Sequence, residues 1–461
     1  MRRFILAVST FALAAPALAA APADPWHAKG RELLENAVNI PSVTTRPEEV
    51  KKLVAYLKGE FEKGGFKDII VKDYDGTQGL IVRWKADGRP AKKPMLLIGH
   101  MDVVDAKRDD WSRDPFKMVE EDGYLYGRGT TDMKNGIVAI TNALLRLKAE
   151  GFKPKRDIIV FFSGDEETDG VGARLASTEW RKLVDADFAL NADAGGGAYD
   201  KDGNSLGFGI QTSEKMYQSY SFTARNPGGH SSRPRPDNAI YDLAGALKRL
   251  ESHRFTPMLN ETTRAYFQFR QKQEKGKLGD AMRRWLANEK DSEAADIIEA
   301  DPLEVAMTRT RCVATRLEGG HADNALPQTA KALVNCRIFP GVEAASVQAE
   351  LQAAAGPNVT VEPFGTSVPS PPSPLRADII KAYTTSIHKR HPGVDIVPQM
   401  STGATDGLFF RATGMPVYGV SGAWIVIPED ERAHGRDERI PVKSFYEDLD
   451  HWHDMVKALA N

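Results

Sequence analysis

Two short runs, Pro94–Ile98 and Asp157–Ser163, are apolar through their interiors and end in polar turns. A strand with one wet face alternates apolar and polar residues, so a run without alternation fits a strand buried on both faces of a sheet. Further strand-like runs occur at Ile69–Val71, Leu80–Trp84 and Phe188–Asn191. Apolar residues recur at helical spacing from Glu32 to Gly65, interrupted at Pro41, and again from Gly136 to Ala149. Strands alternating with helices predict an α/β fold with a largely parallel sheet.

The texture changes near Ser213. Tyr217–Ala224, Thr308–Leu317 and Ala330–Ile338 alternate like half-exposed strands, Ala239–Leu250 and Ala344–Ala355 read as helices, and Thr360–Pro363 as a last strand. That β-α-β-β-α-β order predicts a small open-faced α+β sandwich of ferredoxin-like type. A charged helical stretch, Thr262–Ala300, is embedded in it. The Pro- and Ser-rich segment Thr366–Pro374 reads as a connector back to the first texture. The expected organisation is residues 21–213 and 367–461 forming one domain, with 214–366 inserted in it.

Residues 1–20 are a separate case. Arg2 and Arg3 precede the apolar run Phe4–Ala15, and Ala17-Leu18-Ala19 is a small-x-small cleavage pattern. This is the layout of a secretory signal peptide cut near Ala19 or Ala20, too short to span a bilayer. The mature chain is therefore expected outside the cytoplasm, in the periplasm of a Gram-negative host, with no membrane span. Lys and Arg total 61 against 63 Asp and Glu, a balance that argues against a nucleic-acid partner. With 2 cysteines, neither a disulfide scaffold nor a Cys₄ zinc site can form. Cys312 and Cys336 flank Asn324 at equal distance, so a hairpin centred there would oppose them within disulfide reach; two buried thiols are the alternative.

Residues suited to chemistry collect where strands end, the place where open α/β sheets bind ligands. Strand Met95–Ile98 runs into His100-Met101-Asp102, a histidine beside a carboxylate able to orient it, although such a pair also suits a surface hydrogen bond. Gly127-Arg128-Gly129-Thr130-Thr131-Asp132 places an acid before a helix, where it could equally cap that helix. Asp165-Glu166-Glu167 follows a buried strand; adjacent acids repel unless cations lie among them, and a solvated acidic turn is the alternative. Asp193 sits beside Gly195-Gly196-Gly197, and His434 lies in Ala433-His434-Gly435-Arg436-Asp437-Glu438.

In order and spacing this set resembles the M20 family of di-zinc metallopeptidases and amidohydrolases, over nearly the whole mature chain. The inserted domain would be that family's lid, where Gly228-Gly229-His230-Ser231-Ser232 and Asp323-Asn324-Ala325-Leu326-Pro327 also resemble its motifs. The resemblance implies two Zn²⁺ per chain, with Mn²⁺ or Co²⁺ as substitutes. Asp132 would bridge them across a cis bond to Met133, His100 and Asp193 would complete one site, and Glu167 and His434 the other. Asp102 would orient His100, and Glu166 would be the general base. His230 would reach across a homodimer interface formed by the lid to stabilise an oxyanion. Asn324, Arg337 and Gly403 would lie near the substrate, a small peptide or an N-acyl amino acid. The implied activity is that of a carboxypeptidase or dipeptidase, with an N-acyl-amino-acid deacylase as the alternative and a non-catalytic binding protein as a third reading.

Other signals carry less. Gly203-Asn204-Ser205-Leu206-Gly207 matches G-x-S-x-G, but a polar turn followed by a strand is the wrong setting for a nucleophile elbow. His321 reads as a loop or substrate-edge residue and not a metal ligand, and His388, His391, His451 and His453 as solvated. The basic residues around Arg270, Lys272, Lys275, Arg283 and Arg284 are interspersed with acids and read as a solvated helix face.

Overall fold

The computed structural model describes residues 24–90 and 92–461; the leader expected at 1–20 lies outside them. In chain order the main strands are β1 (Asp68–Tyr74), β2 (Thr77–Trp84), β3 (Met95–His100), β4 (Ile158–Ser163), β5 (Phe188–Tyr199) and β6 (Ser205–Glu214). The inserted segment adds β7 (Met216–Arg225), β8 (Arg311–Gly319), β9 (Thr329–Ile338) and β10 (Val359–Phe364), and the chain returns with β11 (Ile396–Ser401) and β12 (Val417–Val426).

The large sheet has 8 strands in the order β1-β2-β4-β3-β5-β12-β6-β11. Its centre, β4-β3-β5-β12, is parallel, whereas β2 runs against β4 and β6 against β5. Every residue of β3 and β4 is buried, as the unbroken apolar runs require. Their side chains divide between two cores. Met95, Leu97, Ile158, Val160 and Phe162 join the layer beneath helices Pro25–Val38, Pro47–Lys63, Lys134–Ala149 and Val442–Ala460, while Leu96, Ile98, Ile159 and Phe161 pack with Phe410 and Met415 on the opposite face. Each such side chain contributes roughly 1.5–3 kcal/mol by leaving water, so the strand ends stand on a rigid base.

The second sheet is antiparallel, in the order β8-β9-β7-β10, with helices Ala239–Ser252 and Ala344–Ala355 over one face. This is the open-faced sandwich that the strand and helix order implies. Cys312 faces Cys336 across β8 and β9, and the two form a disulfide. The charged stretch becomes three helices, Glu261–Gln273, Gly276–Ala287 and Ser292–Glu299. Their core of Phe267, Met282, Trp285 and Ile298 closes on Phe339 beyond β9 and Met400 of β11, which joins the small sandwich to the large sheet. Arg283 and Arg284 point outward to acids, but Arg270 turns inward to Glu304.

One expectation fails. His451 and His453 are 1% and 8% exposed, and the His391 side chain is also buried. Helix Val442–Ala460 lies within the large domain and not on its rim, so its polar residues find partners inside. His451 bonds the Ser386 hydroxyl through Nδ1 and the Val420 carbonyl through Nε2. Burial accordingly pushes its pKa down to about 3, keeping it neutral. Ser205 opens β6 directly, without the helix an elbow needs. Among the described residues no helix is long and apolar enough to cross a membrane.

Candidate metal centre

His100 ends β3 and pairs with Ser163, the last residue of the parallel neighbour β4. The chain leaving β4 reaches Glu166 and Glu167 a few residues later. On the other side of β3, pairing with β5 stops at Asn191, and Asp193 follows. Three adjacent parallel strands thus deliver four of these residues to one crevice. The loop before helix Lys134–Ala149 adds Asp132, and the loop before Arg439–Pro441 adds His434.

The two oxygens of Asp132 face different histidines: Oδ1 lies 3.2 Å from His100 Nε2, and Oδ2 lies 3.0 Å from His434 Nε2. His100 Nε2 is also 3.6 Å from Asp193 and 3.9 Å from Glu166, while His434 Nε2 is 3.0 Å from Glu167. Ligand atoms of His100, Glu166 and Asp193, and of His100, Asp132 and Glu167, gather within 4.8 Å of one another. The Asp132–Met133 bond is cis. His434 holds a left-handed backbone (φ 60), an uncommon conformation for a residue other than glycine and one that concentrates at functional sites.

Residues to which the sequence reading gave no role hold this arrangement. Glu438 is fully buried and accepts N–H bonds from Gly129 at 3.1 Å, Thr131 at 2.8 Å and Asp132 at 3.0 Å, while Arg128 pairs with it at 2.6 Å. Gly129 has φ +94 and a Cβ there would press on Lys134, so only glycine turns its N–H to this carboxylate without strain. Asp406 is buried against Ser163, whose hydroxyl donates to it. Asp165, first of the acidic run, points away from the crevice and accepts from Tyr74, Val171 and Gly172.

Asp102 does more than expected. Its carbonyl oxygen is 3.0 Å from His100 Nδ1, so the backbone makes the closest contact with the ring, and its carboxylate lies 3.5 Å away. That carboxylate accepts the N–H groups of Glu166 and Glu167, each at 3.1 Å, and the Thr44 hydroxyl at 2.8 Å. It therefore fixes the turn that presents both glutamates.

Electrostatically the crevice is overloaded with acids. Burial, with Asp193, Asp406 and Glu167 nearby, pushes Glu166 well above the ordinary carboxylate range. Burial likewise pushes Asp193 up to about 6, although His100 opposes it. Hydrogen bonds to Asp132 and Glu167 push His434 up to about 10. Burial alone would lower His100, but Asp193, Asp102 and Asp132 hold it well above its usual value. Such crowding is relieved by a divalent cation. The donor set fits one: Nε2 of His100 and Oε1 of Glu167 are buried without a hydrogen bond among the described residues. Imidazole and carboxylate donors without thiolate suit zinc, and also manganese or cobalt.

The remaining candidates stand apart. Exposed His230 belongs to a short ribbon in which it pairs with half-buried Ala325, Asn324 stands beside that ribbon, and His230 Nδ1 accepts from Ser232. Arg337 lies over the Tyr217 ring at 4.8 Å and shares a cavity of about 410 Å³ with Thr402, next to Gly403. Gly403 belongs to the loop leaving β11, which Glu214 fixes by accepting from the Thr405 amide and hydroxyl.

A crevice of imidazole and carboxylate donors at the parallel-strand ends of an α/β domain with an inserted sandwich defines a class of metal-dependent hydrolase. The model of peptidase family M20/M25/M40 matches residues 96–458, and the chain belongs to that family. It is 28% identical over 436 residues to a human N-fatty-acyl-amino acid synthase/hydrolase, PM20D1, covering 90% of this chain and 84% of that one. It is 26% identical to a probable carboxypeptidase S-like 2 of Dictyostelium discoideum, covering 82% and 74%. A solved M20 family metallo-carboxypeptidase from Sulfolobus solfataricus shares the fold, with a TM-score of 0.70, 21% identity and coverage of 93% and 98%.

Glu438→Gln tests the support of the centre. Supporting carboxylates of this kind are typically worth about 10–100-fold in metal affinity or activity, so a loss in that range is expected from metal titration monitored beside far-UV dichroism. Unchanged metal affinity in a folded variant would remove Glu438 from the support of Asp132.

Proposed function

We propose that the protein is a two-metal amidohydrolase that cleaves the amide bond joining an acyl group to the nitrogen of an amino acid with a free carboxylate. The observation that carries this reading is the Asp132 carboxylate set between His100 and His434, with Glu166 beside it. His100 and Asp193 would hold one divalent cation, Glu167 and His434 the other, and Asp132 both; zinc is the favoured metal. When bound, such a pair polarises a carbonyl and makes a nearby water more acidic.

The chain's own groups supply the rest. Glu166, held by its amide to Asp102, would take a proton from the attacking water and pass it to the departing amine. Arg337, with its guanidinium half-buried over Tyr217, would receive the substrate carboxylate, beside the Gly403 loop. His230 from a second copy would donate to the oxyanion, with Asn324 beside it. The apolar side chains exposed along the sandwich edge, Tyr241 at 73% and Leu317 at 68%, support a homodimer formed there.

Within this class we favour N-acyl amino acids, because the human relative is named for fatty-acyl amino acids over most of the chain length. The second reading, a carboxypeptidase acting on small peptides, draws on the Dictyostelium relative. Incubation of the metal-loaded protein with N-acyl amino acids and dipeptides, followed by mass spectrometry, separates the two by their products. Release is expected to stop with a chelator, and Glu166→Gln should retain its metals while losing several decades of turnover. Undiminished release by Glu166→Gln would exclude Glu166 as the base.

Export to the periplasm is part of the proposal. The leader pattern of residues 1–20 and the Cys312–Cys336 disulfide support it, since disulfides persist in oxidising compartments. Intact mass of the protein recovered from the periplasm should correspond to a chain starting at Ala20 or Ala21 that takes up an alkylating agent at two sites only after reduction. A chain retaining Met1 in the cytoplasmic fraction, alkylated without reduction, would contradict export.

A further inference from the structure

At the other end of the large sheet, beneath the starts of β4 and β5, lies a cavity of about 610 Å³. Lys92, Arg156, Arg376, Lys381 and Lys389 line it, against the acids Asp378 and Asp454. Strands of this length place the cavity roughly 20 Å from the crevice at the opposite strand ends. The two acids are already engaged: Asp454 bonds Lys389 at 2.7 Å and Arg390 at 2.8 Å, and Asp378 bonds Arg376 at 2.8 Å. Lys92 donates to the main-chain oxygen of Asn461 at 3.1 Å.

Arg156 is the unusual member. It is 4% exposed, and its Nε and Nη1 have no hydrogen-bond partner among the described residues. Its Nη2 stands 4.0 Å from Asp187, beyond hydrogen-bond reach, and Asp187 is bonded to Arg376 at 3.1 Å. The Phe188 ring carries both guanidiniums, Arg156 at 5.2 Å and Arg376 at 4.7 Å; Arg376 is satisfied by Asp187 and Asp378, whereas the ring gives Arg156 no hydrogen-bond acceptor. Burying a guanidinium is costly unless it is paired and hydrogen-bonded. Its planar fork matches the oxygens of a phosphate group, and the neighbouring lysines add point charges to the same space.

We infer that this cavity binds a phosphate-bearing small molecule, with Arg156 as the principal contact and Lys381 as a second. The volume exceeds what a lone inorganic ion needs, which favours a phosphate ester. The site is independent of the hydrolytic reading, because none of its residues belongs to the metal crevice.

Calorimetric titration of the metal-loaded protein at fixed ionic strength, with inorganic phosphate in one arm and glycerol 3-phosphate in the other, tests this. One saturable site is expected, tighter for the ester, at least tenfold weaker in Arg156→Met and several-fold weaker in Lys381→Gln, with hydrolysis unchanged in both. In chloride alone Arg156→Met should unfold at the same or a higher temperature than the parent, since it removes a buried guanidinium whose carboxylate neighbour Asp187, 4.0 Å away, is hydrogen-bonded to Arg376 instead. Absence of saturable binding, or binding equal in parent and Arg156→Met, would overturn the proposal. A lower unfolding temperature of Arg156→Met in chloride would also overturn it, by assigning the guanidinium to a structural pair with Asp187.

Discussion

The carboxylate of Asp132, with one oxygen turned to His100 and the other to His434, is the contact around which the large domain is arranged. A short side chain can face two imidazoles only if its own backbone is fixed to within a fraction of an ångström. Glu438 provides that fixation by collecting three backbone donors of the Asp132 loop, from Gly129, Thr131 and Asp132, and the Arg128 guanidinium. Because Glu438 lies four residues after His434, the same buried carboxylate joins the loop of Asp132 to the segment that carries the second histidine. Chain on either side of the inserted sandwich is therefore locked together at the crevice itself.

Charge is the second constraint. Asp102, Glu166, Glu167, Asp193 and Asp406 crowd a space from which water is largely removed. Hydrogen bonds meet part of that cost, with Asp102 held by two amides and a hydroxyl and Asp406 by Ser163. The rest appears as a strong pull on protons at Glu166 and Asp193. On the proposed reading, divalent cations bring this charge close to balance and leave Glu166 able to hold a proton for part of the cycle.

The layered core was legible in the sequence because strands buried on both faces cannot alternate, and β3 and β4 show this without ambiguity. The ligand-type residues were legible for a related reason: they follow those strands directly. Glu438 and Asp406 were not. Each acts through a partner more than two hundred residues away, and nothing in the local pattern separates such an acid from a solvated one. The burial of His451 was hidden similarly, since the sequence of helix Val442–Ala460 does not show that its polar side meets Ser386 and the Val420 carbonyl. The three helices at 261–299 were readable as helices, but their packing on Met400 depends on a residue far along the chain.

The most direct measurement is anomalous diffraction at the zinc absorption edge from crystals of the zinc-loaded protein. Two peaks are expected, one against each carboxylate oxygen of Asp132, the first also beside His100 and Asp193 and the second beside Glu167 and His434. A single peak, or two peaks of which neither touches Asp132, would contradict the assignment of that carboxylate as the shared ligand.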